Sequence, residues 1–79
     1  MANPPAPVGT MLGQALRRRR GASTQADAAA ELGLATLSIS RLERGTHRPN
    51  TDTARKLSKW LGWTVEQVLD AADTPLPLG

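Results

Sequence analysis

Apolar residues recur along this chain at helical spacings of three and four, interrupted by glycines, prolines and small hydroxyl side chains. Leu12 and Leu16 stand four apart, and Thr10 before them suits an N-cap. The pattern predicts a first helix from Thr10 to about Arg20, ended by Gly21. A second begins after Thr24, runs through the alanine-rich "QADAAAEL" and stops at Gly33, where a left-handed C-terminal residue is expected. Asn50 or Thr51 caps a later helix that reaches Leu61 before Gly62. Thr64 and Gln67 form a capping-box pattern that opens a last helix, with Val65, Val68 and Leu69 apolar.

One stretch reads two ways. In "TLSISRLERG", residues 36 to 45, Leu37-Ser38-Ile39-Ser40 alternates like a strand, while Arg41 to Gly45 ends like a helix. On a strand, Leu37 and Ile39 would share a face with Arg41, which buries poorly. At about 100° per residue, Ile39 and Leu42 fall on one side and Leu37, Ser40, Arg41 and Arg44 on the other. The helix sorts the residues better, so a third helix is expected here, followed by a loop at "THRPN".

The prediction is an all-α, compact five-helix domain over residues 10–72. Residues 1–9, with three prolines and no periodicity, are expected to form a disordered arm, and residues 73–79 a flexible tail or linker stub. A chain of 79 residues is one domain at most, and so short a chain buries only about 60% of the surface it exposes when unfolded. Without cysteine and with a single histidine, neither disulfides nor a zinc site can supplement the core, and no metal or cofactor is expected. No apolar run approaches the roughly 20 residues of a membrane span, and the N-terminus lacks a secretory signal. A cytoplasmic, bacterial or phage-encoded, nucleoid-associated protein is expected.

Charge narrows the partner. Residues 1 to 62 hold all ten Lys and Arg and four acids, a balance of +6, whereas residues 63 to 79 hold three acids and no base. A basic body suits a polyanion, although charge alone also describes an ordinary solvated surface.

Spacing narrows it further. Counted from Gln25, the apolar positions are Ala28, Leu32, Leu34, Ile39 and Leu42, with small Ala29 at a close crossing and Gly33 at a sharp turn. Two helices joined by a tight glycine turn make a helix-turn-helix, here helices 2 and 3. "TQADAAAELGLATLSISRLERGTHRP" resembles the core of the phage repressor and Cro-type helix-turn-helix DNA-binding family. The elements that carry the likeness are Thr24, Gln25, Ala29, Leu32, Gly33, Ile39, Ser40, Arg41, Leu42, Glu43, Arg44, Gly45 and Pro49. The resemblance covers about residues 10 to 71 and implies a repressor-like domain whose third helix enters the major groove of double-stranded DNA.

On that reading Thr36, Leu37, Ser40 and Arg41 face base edges. Arg41 has the fork for guanine O6 and N7, and Leu37 suits a thymine methyl. Unaided, the two residues would pass for a solvated arginine and a stray surface leucine. Gln25 at the start of helix 2 suits a phosphate, with Thr24 and Ser38 as companions. The resemblance adds Arg44, His47 and Arg48 as further backbone contacts. It also implies an ion pair between Glu43 and a helix 1 arginine: counting back from Gln25 selects Arg18, and the family's Leu-Arg pair selects Arg17. The turn "RGAST" departs from the family's spacing, and Arg19 falls on the Leu12–Ala15–Leu16 stripe, where its stem would have to snorkel.

With neither Phe nor Tyr, the core relies on Trp60, while Trp63, Val65, Val68 and Leu69 are expected to leave a patch for a homodimer. The expected function is a sequence-specific transcriptional regulator, most simply a repressor of the phage-immunity or Cro-like kind. The alternative is an antitoxin or adaptor that uses the fold to bind a protein. With one histidine, no cysteine, no glycine-rich phosphate loop and no clustered carboxylates, there is little from which to build an enzyme's site.

Overall fold

A computed structural model describes residues 9–76. The order is α1 (Met11–Arg20), α2 (Gln25–Leu32), α3 (Thr36–Arg44), α4 (Thr51–Leu61) and α5 (Val65–Ala72). The expected arm at residues 1–8 lies outside the described residues.

Side-chain caps fix four of the five starts. Thr10, Thr24, Asn50 and Thr64 each accept a hydrogen bond from the backbone N–H three residues on. Asp27 returns to the Thr24 N–H and Gln67 to the Thr64 N–H, completing two capping boxes. Each such cap contributes about 1 kcal/mol. The helices are short, so tertiary packing must supply the rest. Leu12, Leu16, Ile39, Leu42, Leu57 and Val68 are fully buried, and burying a side chain of this size contributes about 1.5–3 kcal/mol. The small Ala29 and Ala54 let helices approach within this cluster. Trp60, Trp63, Val65 and Leu69 pack against its edge and remain half-buried.

Gly13 marks where α1 crosses α3. A Cβ there would collide with the Glu43 carbonyl oxygen and stand 2.9 Å from that of Leu42. Only a glycine permits this approach.

Thr74, Pro75 and Leu76 are joined to the segment before α1. The Met11 N–H donates to the Thr74 carbonyl at 2.9 Å, and the Leu76 N–H to the Gly9 carbonyl at 3.1 Å. These bonds flank an antiparallel bridge between Thr10 and Pro75. The pairing satisfies a first-turn N–H of α1 that no helical carbonyl can reach.

Candidate nucleic-acid interface

Gly33 sits at φ 69°, ψ 35°, a left-handed conformation that ends α2 and turns the chain into α3. The Leu34 N–H reaches back to the Ala29 carbonyl at 2.9 Å, closing the turn. Gly45 ends α3 in the same way, with the Thr46 N–H on the Arg41 carbonyl at 3.1 Å. Between the two turns, α3 is held by burial of Ile39 and Leu42. Their immersion turns the other side of the helix outward: Thr36, Leu37, Arg41 and Arg44 are exposed, and Ser40 is partly so. Leu37 keeps 53% of its surface exposed. The ambiguous stretch is therefore a helix, with its apolar residues divided between core and solvent.

Glu43 is the exception on this helix, a carboxylate only 2% exposed. Burial of such a charge is tolerable only with partners. Arg20 supplies a two-pronged pair, Nε to Oε2 at 2.8 Å and Nη2 to Oε1 at 2.9 Å. The hydrogen bond to Glu43 raises the Arg20 pKa above the ordinary arginine value, against the opposing pull of burial. Gln25 Nε2 donates to Oε1 at 3.2 Å, and Arg17 Nε lies 3.6 Å from the same oxygen. Arg20 Nη1 also donates to the Ser23 carbonyl. One carboxylate thus ties α1, the α1–α2 turn, α2 and α3 together. It also fixes Gln25 at the start of α2.

The fold and this turn geometry place the protein. A family model described as helix-turn-helix matches residues 15–68, more than half of the sequence. The chain belongs to the helix-turn-helix family of the repressor/Cro type. It is accordingly a DNA-binding regulator that acts on double-stranded DNA. Among curated proteins, none matches the sequence.

In this helix-turn-helix protein several residues stand elsewhere than expected. Of the two arginines expected at Glu43, Arg17 is there at 3.6 Å and Arg18 is not, while Arg20 pairs more closely at 2.8 Å. Arg18 lines a groove beside Met11 and Trp63 instead. Gly13, Arg17 and Arg20 share the face of α1 that crosses α3, so the arginine nearest the turn reaches the carboxylate. Arg48, expected at a phosphate, spends Nε and Nη2 on Asp73 at 2.9 and 3.1 Å. This exposed pair fastens the α3–α4 loop to the end of α5. Val68, expected in a dimer patch, is fully buried because its face of α5 packs into the core.

The remaining candidates are on the surface. Thr24 serves as a cap, Ser38 is half-buried, and His47 in the loop is exposed. Trp60, expected as filler, is half-buried and donates its indole N–H to Glu31 at 2.9 Å. Arg19 lies 5.0 Å above its ring, and this contact carries the arginine stem off the core stripe. No helix among the described residues is long and apolar enough to cross a membrane.

Proposed function

We propose that this chain is a sequence-specific repressor that reads the major groove with α3. One observation carries the reading: α3 buries Ile39, Leu42 and the Glu43 carboxylate, and so presents only apolar, hydroxyl and guanidinium groups outward. Thr36, Leu37, Ser40 and Arg41 form the base-reading set. Arg41 takes a guanine edge and Leu37 a thymine methyl. Gln25, anchored by Glu43 through one amide hydrogen, keeps its second for a phosphate at the α2 N-terminus. Thr24, Ser38, Arg44 and His47 complete the backbone contacts. Repression needs no further machinery, because a domain seated on a promoter excludes polymerase from the same base pairs.

The repressor acts as a pair on two half-sites about one helical turn apart. Val65 and Leu69 retain exposed surface on α5, away from the α1 arginines, and support such pairing. Selection of binding sites from random duplex DNA tests the whole reading. Enrichment of a two-fold symmetric motif is expected. Failure to enrich any motif would overturn sequence-specific recognition.

A further inference from the structure

The four consecutive arginines of α1 serve two opposite sides of the helix. Arg17 and Arg20 point to Glu43, and so to α3. At about 100° per residue, the midline of Arg18 and Arg19 lies about 180° from theirs. Arg18 and Arg19 instead line a groove of about 400 Å³ between α1 and the α4–α5 turn, open to solvent along one side. Its apolar walls include Met11, Leu61 and Trp63, and Met11 is 38% exposed. Its polar groups are hydrogen-bond donors or amides: the Arg18 and Arg19 guanidiniums, the Trp63 indole N–H and the Gln14 side chain. No Asp or Glu lines it. Among the described residues neither the Arg18 guanidinium nor the Trp63 indole N–H has a hydrogen-bonding or ionic partner, whereas the Trp60 indole N–H is satisfied by Glu31. The cleft on the other side of α4 contains Glu31 beside Lys56 and Lys59, so its charge is already mixed.

We propose that this groove docks an acidic amphipathic helix of a partner protein while α3 remains free for DNA. The partner's apolar side chains cover Met11, Leu61 and Trp63, and its carboxylates meet Arg18 and the Trp63 N–H. A nucleic-acid strand would satisfy the arginines and leave the apolar wall uncovered. A small carboxylate in a groove open on one side would stay largely in water, whereas small-molecule sites enclose most of their ligand. The inference rests on α1 and the α4–α5 turn, and does not depend on which operator α3 reads.

The test is a titration of the full ¹⁵N-labelled chain with a synthetic amphipathic peptide of about 14 residues, leucine on one face and glutamate on the other. The indole N–H signal of Trp63, assigned with Trp60→Phe, reports the groove. Saturable shifts are expected at Trp63 and Gln14, unchanged when duplex DNA carrying the selected site is bound. Arg18→Glu and Met11→Gln should each weaken the peptide at least about tenfold and leave DNA binding as in wild type. The proposal fails if a glutamine-substituted peptide binds equally well, or if the shifts centre on α3 and vanish with DNA. It fails equally if acetate alone saturates the site. A Trp63 signal that moves with protein concentration in the absence of peptide would assign the groove to a second copy and overturn it.

Discussion

Glu43 shows how much one buried charge decides. Its carboxylate is held by Arg20, Gln25 and, at longer range, Arg17. Removing the negative charge leaves the partly buried Arg20 without its ion pair, so Glu43→Gln should cost about 3 kcal/mol in urea unfolding. Arg20→Met should cost about 3 kcal/mol, because Arg17 compensates only in part. Arg18→Met, on the far side of α1, should stay within about 0.5 kcal/mol. Equal losses from both arginine variants would refute the assignment of Arg20. The Arg48–Asp73 pair is a weaker case, since both side chains are more than half exposed. Its hydrogen bonds first, and its charge as well, hold Asp73 below the ordinary value of 3.8. A depressed folded pKa contributes stability that is complete above the unfolded value and is lost as pH falls through the folded one. Asp73→Asn should therefore lower the urea midpoint slightly and evenly at neutral pH, and the wild-type and variant curves should merge below pH 3.8.

At the scale of elements, α1 and α3 meet at Gly13. Alanine is the better helix former by about 1 kcal/mol. Yet its Cβ would press on two α3 carbonyls, and overpacking of this kind typically costs about 1–3 kcal/mol. Gly13→Ala is expected to lower stability on balance, and a raised melting temperature would show that the crossing is looser than described here. The same residue held the missed clue to Arg20. Gly13, Arg17 and Arg20 follow one stripe at i, i+4 and i+7, so a glycine inside a helical pattern marked the face that turns to α3. On α3 itself, the division between Ile39 and Leu42 inside and Leu37 and Arg41 outside was legible from periodicity. Arg41→Ala should relax selection at one base pair by about 1–3 kcal/mol and leave the fold unchanged. Retention of the full wild-type motif would remove Arg41 from base reading.

For the whole molecule, the basic body and the acidic last segment divide the surface by sign. DNA affinity should fall with salt at a log–log slope near −0.9 for each phosphate neutralised. Arg44→Ala should flatten that slope by about one, whereas Arg48→Ala should alter it little because Asp73 already holds that guanidinium. Assembly is checked by sedimentation with and without the selected DNA. Two copies per symmetric site are expected, and a monomer at high concentration with one copy per site would refute pairing.

Local chemistry fixed much of this protein in advance. Hydroxyl and amide caps, left-handed glycines and helical periodicity act within a few residues, so the five helices, the turn at Gly33 and the outward face of α3 could be read from the chain. Contacts between distant segments could not. Which arginine meets Glu43 depends on how far α1 runs before its turn. That Arg48 answers Asp73, and that residues 74–76 close against Gly9 and Met11, depends on α5 returning beside α1. Val68 lies inside because packing, not hydrophobicity alone, chooses which apolar face of a short helix is covered.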